Sequence, residues 1–169
     1  MSVAPAPARW SARSRGPEDT AAIGEVLGRS APDGALILLE GPLGAGKTTL
    51  AQGVGAGCGV REFVTSPTYN LILHYTGDRP FTHVDLYRLE DPADLETLDL
   101  EAMLGGSGVT CVEWPELLRE AGESLPPWAL VRISLEAGPT GPRRIRGEFA
   151  GAGWEAVLAA LAERGARSA

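Results

Sequence analysis

A single lysine stands among fourteen arginines in this chain. It lies in the run Gly41-Pro42-Leu43-Gly44-Ala45-Gly46-Lys47-Thr48-Thr49. The spacing Gly-x4-Gly-Lys-Thr is the Walker A pattern, a loop that wraps phosphate. Gly41, Gly44 and Gly46 let the backbone bend closely around phosphate oxygens, and the N–H groups freed there point inward at a helix N-terminus. Lys47 offers a compact charge to β- and γ-phosphates that a planar guanidinium would not match. The Thr48 hydroxyl is placed to ligate Mg²⁺. Without a ligand, the ammonium of such a loop is expected to be exposed. The competing reading is a chance glycine-rich turn, and context decides between them. Ala35-Leu36-Ile37-Leu38-Leu39 follows the turn pair Asp33-Gly34 and reads as a buried parallel strand. Leu50, Val54 and the small residues between them continue as a helix, which Gly53, Gly55, Gly57 and Gly59 should end early.

Hydrolysis of a phosphoanhydride needs more than a cradle. A carboxylate must hold the metal, directly or through water, and a polar group must orient the attacking water. In open α/β sheets such groups gather beyond the carboxyl ends of strands. Thr82-His83-Val84-Asp85 and Val109-Thr110-Cys111-Val112-Glu113 both end in an acid, so Asp85 and Glu113 are the candidates. Each could instead cap its strand or pair with an arginine. Thr65-Ser66-Pro67-Thr68 is either a γ-phosphate sensor or an ordinary turn. His83 reads as a structural residue and Trp114-Pro115 as a packed corner. Arg143, Arg144 and Arg146 form a basic cluster that reaches phosphate or RNA, or is a solvated face.

These groups need a layered scaffold. A helix is expected from Glu18 through Ile23, Val26 and Leu27, with Asp19 or Thr20 as its cap. Tyr69 to Tyr75 and Phe81 to Asp85, joined by Gly77-Asp78-Arg79-Pro80, read as a β-hairpin. Pro92 to Leu98 reads as a short acidic helix and Leu100 to Leu104 as another. Val109 to Val112, Leu130 to Leu135 and Arg144 to Phe149 read as strands. Trp154, Val157, Leu158 and Leu161 fall at helical spacing. Strands alternating with helices predict an α/β fold with a mostly parallel central sheet and an added antiparallel hairpin.

Bulk properties narrow the function. At 169 residues, 44% of them hydrophobic, the chain has the size of one domain with a real core. The net charge is −7, which argues against a basic nucleic-acid binder; RNA would be held by a partner. Cys58 and Cys111 are too far apart in sequence for a redox or metal motif, and read as reduced packing residues of a cytoplasmic protein. No apolar stretch approaches membrane-spanning length. Residues 1–17, with Pro5, Pro7 and Pro17, read as a flexible tail before a single domain over 18–165.

Four motifs in order now add a resemblance. The phosphate loop, Thr65-Ser66-Pro67-Thr68-Tyr69, His83-Val84-Asp85-Leu86-Tyr87-Arg88-Leu89 and Val112-Glu113-Trp114-Pro115-Glu116 closely resemble the TsaE (YjeE) family, over about Glu18 to Arg146. The resemblance implies a P-loop NTPase-like fold. It implies a cytoplasmic ATPase using ATP and Mg²⁺ in bacterial tRNA threonylcarbamoyladenosine biosynthesis, with TsaD and TsaB as partners and tRNA met through that complex. Carried over by position, Gly44, Ala45, Gly46, Lys47, Thr48 and Thr49 hold the phosphates. Thr48 and Glu113 hold the metal, Asp85 positions water beside the nucleotide, and Glu116 and Arg143 touch nucleotide. Pro17 to Thr20 border the base. Lys47, Asp85 and Glu113 are then the catalytic set. The alternatives are a small-molecule P-loop kinase, for which no arginine-rich lid is evident between Asp85 and Glu113, and a module that binds ATP without turning it over.

Overall fold

The computed structural model describes residues 6–67, 69–99, 103–104, 106–120 and 127–168. Along the chain run β1 (Ala8–Ser14), α1 (Pro17–Ser30), β2 (Ala35–Glu40), α2 (Lys47–Gly57), β3 (Ile72–Tyr75) and β4 (Phe81–Asp85). A 3-10 helix follows at Pro92–Thr97, then β5 (Val109–Glu113), α3 (Glu116–Glu120), β6 (Trp128–Leu135), β7 (Arg143–Ala150) and α4 (Glu155–Ser168). The strands form one mixed sheet in the order β1-β7-β6-β2-β5-β4-β3. Its centre, β6-β2-β5-β4, is parallel. β3 closes one edge and β7 with β1 the other, all antiparallel.

β2 is apolar from Ala35 to Leu39 because both of its faces are covered. Ile37 and Leu39 point into a layer with Ile23 and Leu27 of α1, Leu50 and Val54 of α2, and Val157 and Leu161 of α4. Leu36 and Leu38 point the other way, into a smaller layer with Val84, Val112, Leu118 and Leu130. The central strand therefore delivers the phosphate loop at Gly41 from the most buried part of the molecule. Burial of this layer is the main stabilising term, at about 25 cal/mol per Å² of apolar surface.

Three expectations change. The segment expected to be a flexible tail contributes β1, paired with β7 from Ala8↔Phe149 to Ser14↔Arg143. Trp10 and Ala12 pack on the core while Arg9, Ser11 and Arg13 are exposed, a period of two. The prolines that argued against order lie outside the strand: Pro7 precedes it, and Pro17 takes the first turn of α1, where no N–H is missed. The fold thus begins at Ala8 rather than Glu18. The cap of α1 is Gly16, not Asp19 or Thr20; Asp19 Oδ2 instead accepts from Arg15 N at 3.0 Å.

Nor do the glycines end α2 early, since it continues through Gly53 and Gly55 to Gly57. Each glycine costs the helix intrinsic stability, and packing repays it. A Cβ on Gly28 would lie 2.0 Å from the Val54 carbonyl oxygen, and one on Gly53 2.1 Å from that of Ala21. The backbones of α1 and α2 touch, and only glycine permits it.

The hairpin forms as β3 and β4, with Tyr75 opposite Phe81. Pro92–Thr97 is a 3-10 helix with a capping box between Asp91 and Asp94. Of the second helix expected there, Met103 and Leu104 are helical, and the rest lies outside the described residues, as does Thr68. Among the described residues, no helix is long and apolar enough to cross a membrane.

Candidate functional site

Lys47 is the first residue of α2, and Gly46 before it is left-handed at φ 107°. That turn aims the free N–H groups of the helix start at one point, where the helix dipole also favours an anion. Gly44 is left-handed too, at φ 77°, and a Cβ built there meets nothing within 4 Å, so it would stand in the open cradle. Behind the loop, a Cβ on Gly41 would come 2.6 Å from the Ile133 carbonyl oxygen, which holds the loop tight against β6.

The cradle opens into a cavity of about 400 Å³ lined by Gly44, Gly46, Lys47, Thr48, Thr49, Ser66, Asp85, Tyr87, Glu113 and Trp114. Parallel pairing of β4 with β5 sets Asp85 directly beside Glu113 at the carboxyl end of the sheet. Thr48 Oγ1 donates to Glu113 at 3.0 Å to Oε1 and 3.2 Å to Oε2. Asp85 accepts from Tyr87 N at 2.9 Å and from Ser66 Oγ at 3.2 Å. Lys47, Thr48, Asp85 and Glu113, from three separate elements, are thus brought together.

Contrary to the expected exposed ammonium, Lys47 is 5% exposed. Its Nζ donates to the carbonyls of Gly41 at 2.7 Å and Pro42 at 3.0 Å and sits 3.9 Å from the centre of the Trp114 ring. Burial pulls the lysine below its ordinary pKa, while Glu113, Glu116 and Asp85 oppose that shift. The carbonyls and the ring hold the charge.

Arg143 binds the back of the loop. Its Nε donates to Ala45 O at 3.1 Å and Nη2 to Gly44 O at 3.2 Å, while the same guanidinium holds the carbonyls of Pro139 and Gly141. It lines a second cavity, of about 390 Å³, with Arg15, Gly16, Pro17, Thr20 and Thr140. Gly44, Gly46 and Thr49 line both cavities, which therefore meet at the loop. Glu116 is exposed at the start of α3 and lines neither cavity; its effect reaches Lys47 through charge. Arg144 pairs with Glu136 at 3.0 Å and Arg146 is exposed, both facing away from the helical layer.

Two side chains carry more than the sequence suggested. Trp114, read as a packed corner, has φ +58°, rare for a bulky residue and a mark of functional sites. That backbone turns its ring over Lys47, with Tyr87 tilted against it at 4.9 Å between ring centres. His83, read as structural, is fully buried and bonds Glu113 at 2.8 Å. The hint for both was their place in the chain, one residue after and two before the paired acids.

The arrangement suits a triphosphate and a hard cation. A hydroxyl and a carboxylate are oxygen donors of the kind Mg²⁺ takes, and Mg²⁺ completes its shell with phosphate and water rather than with a protein cage. Among the described residues, no group of three or more His, Cys, Asp or Glu could hold an ion alone.

A family profile described as threonylcarbamoyl adenosine biosynthesis protein TsaE matches residues 14–145. The chain is 41% identical over 132 residues to the tRNA threonylcarbamoyladenosine biosynthesis protein TsaE of Nostoc sp., covering 75% of this chain and 78% of that one. It is 39% identical over 132 residues to the protein of the same name from Treponema pallidum, covering 78% and 95%. The crystal structure of Bacillus subtilis YdiB superposes with a TM-score of 0.74 at 28% identity, covering 94% of this chain and 97% of that one. The family match begins at the last residue of β1 and ends inside β7, enclosing every strand end that carries the loop and the two acids. This chain belongs to the TsaE family, which works in tRNA threonylcarbamoyladenosine biosynthesis.

Proposed function

We propose that the chain binds ATP with Mg²⁺ and hydrolyses it as a component of the bacterial machinery that makes N6-threonylcarbamoyladenosine at tRNA position 37. In this reading it works in the cytoplasm with TsaD and TsaB, and meets tRNA through them. The observation that carries the proposal is the meeting of Lys47, Thr48, Asp85 and Glu113 in one cavity under the α2 N-terminus.

Gly44 to Thr49 turn their N–H groups to the phosphate oxygens. Lys47 exchanges the Gly41 and Pro42 carbonyls for the β- and γ-phosphates. Thr48 and Glu113 would hold Mg²⁺, which would supply positive charge to the phosphate oxygens. Asp85 accepts a hydrogen bond from the water that attacks the γ-phosphorus; the bond to the β-phosphate oxygen breaks as that water bonds, ADP leaves, and the water's proton passes to the released phosphate. Arg143 keeps the loop from spreading, and the cavity beside Gly16, Pro17 and Thr20 takes the base. The net charge of −7 supports a division of labour in which the partners hold the RNA.

The test is reconstitution with purified TsaD, TsaB and tRNA. Modification should continue over many turnovers only when this chain and ATP are both present. Asp85→Ala should abolish hydrolysis and multi-turnover modification while leaving nucleotide binding. Equal modification without the chain would refute the assignment, and intact modification by Asp85→Ala would leave a binding module instead.

A further inference from the structure

His83 occupies the middle of β4, with no exposed surface. Its two ring nitrogens face different parts of the molecule. Nδ1 lies 3.0 Å from the Thr65 carbonyl oxygen and Nε2 2.8 Å from Glu113 Oε1. A carbonyl only accepts, so Nδ1 carries a hydrogen in that contact, and a second hydrogen lies between Nε2 and Glu113 Oε1. Phe81 stacks against the ring at 6.2 Å between centres, so rotation would have to displace a core aromatic. The imidazole is a rigid spacer between a carboxylate and a backbone peptide.

That peptide belongs to the segment 60–67, which leaves α2 and passes the cavity mouth. Gln52 Nε2 donates to Val64 O at 2.9 Å, Thr65 N donates to Tyr75 Oη at 3.1 Å, and Ser66 Oγ donates to Asp85 at 3.2 Å. The segment therefore ends on both acids, at Asp85 through Ser66 and at Glu113 through His83. Glu113 in turn accepts the Thr48 hydroxyl. A continuous chain of hydrogen bonds runs Thr48–Glu113–His83–Thr65.

We propose that His83 is a positioning residue that orients Glu113 for the metal and passes the state of that carboxylate to the segment 60–67. The inference rests on the nucleotide-hydrolysis reading of the site and adds a structural link to it. A carboxylate with one oxygen held by a fixed hydrogen-bond partner presents its other lone pairs in one direction, and loss of such a partner typically costs about 10–100-fold in metal affinity. When Glu113 turns toward a cation, the His83 contact lengthens or shifts, and the Thr65 peptide loses or gains its anchor.

Two conservative variants separate the links. His83→Asn keeps a donor near the Nδ1 position and loses the reach to Glu113. His83→Gln keeps the reach to Glu113 and loses the Thr65 contact. Three readouts are needed: nucleotide affinity without metal, the Mg²⁺ concentration for half-maximal hydrolysis against kcat, and amide hydrogen exchange over residues 60–67 with and without an ATP analogue and Mg²⁺. His83→Asn should bind nucleotide without metal as the parent does and need about tenfold more Mg²⁺ or beyond. Its segment should stop responding to metal. His83→Gln should stay near the parent in Mg²⁺ demand while the segment exchanges faster in every state. Parent-like Mg²⁺ demand and parent-like exchange in His83→Asn would overturn the proposal. A parent protein that takes up no nucleotide would instead overturn the reading of the site.

Discussion

The contact between α1 and α2 and the carboxyl edge of the parallel strands are both buried, yet they are built from opposite materials. The helix contact is made of glycine and apolar residues, with Gly24, Gly28 and Gly53 pressed against the facing backbone. The strand edge gathers Lys47, His83, Asp85 and Glu113, four of the six buried polar or charged residues among those described. In the first region, close approach stabilises the fold directly. In the second, the polar groups hold one another: Lys47 is held by two carbonyls and a ring, Thr48 by Glu113. Buried polar groups without partners would cost stability, and no buried side-chain nitrogen or oxygen among the described residues lacks one. The site is thus satisfied internally, in contacts that nucleotide and metal would exchange for their own.

The largest expected effect is at the polar edge. Lys47→Ala should cut ATP hydrolysis by about 10²-fold or more, as for removal of an electrostatic donor from the transition state. Parent-like turnover, measured as phosphate release, would remove Lys47 from the mechanism. At the helix contact, Gly28→Ala should destabilise by about 1–3 kcal/mol or more, because its Cβ meets a backbone oxygen that cannot step aside. Chemical denaturation measures it, and a change within error would mean that the helices are not in backbone contact. The same substitution should leave nucleotide affinity close to the parent's in the folded fraction, which keeps the two regions distinct.

A finer contrast comes from pH. The pKa of Lys47 is lowered, chiefly by burial, so the folded state binds this proton less tightly than the unfolded chain does. The charged lysine therefore costs stability below its folded pKa, and that cost is relieved as pH rises toward the ordinary value of 10.5. Relative to a Lys47→Met variant, the nucleotide-free parent should gain stability as pH rises. Melting temperatures of the pair that diverge in the other sense would contradict the burial argument. The smallest effect is expected on the exposed face of α4. Gly165 is exposed on α4 with nothing within 4 Å of a built Cβ, so Gly165→Ala should stabilise by about 0.5 kcal/mol, seen as a slight rise in melting temperature. A fall would mean that α4 packs more tightly there.

The polar edge was largely legible in the sequence because its chemistry needs fixed types at fixed spacing. Gly41 to Thr49 form one contiguous loop, and Asp85 and Glu113 each end an apolar strand. What the residues did not reveal there depends on three-dimensional turns. The left-handed Trp114 that folds over Lys47 and the His83 bridge between segments are set by backbone angles and strand pairing. The helix contact is hidden in the sequence, since glycines in a helix look like terminators until the partner helix with its own glycines is in view. β1 was missed for a related reason. Seven residues alternating Trp10, Ala12 and Ser14 with arginine and serine form a strand only when β7 offers an edge 130 residues later, and local proline content outweighed that pattern.

In the proposed function, the Gly41–Thr49 loop holds the phosphates of an adenine nucleotide through its amides and Lys47. Titration calorimetry of the full chain with ATP and Mg²⁺, alone and with TsaD and TsaB, tests it most directly. The parent should take up one nucleotide per chain saturably, and Lys47→Ala should bind it far more weakly. No heat of binding in either setting, or equal binding by the variant, would contradict it.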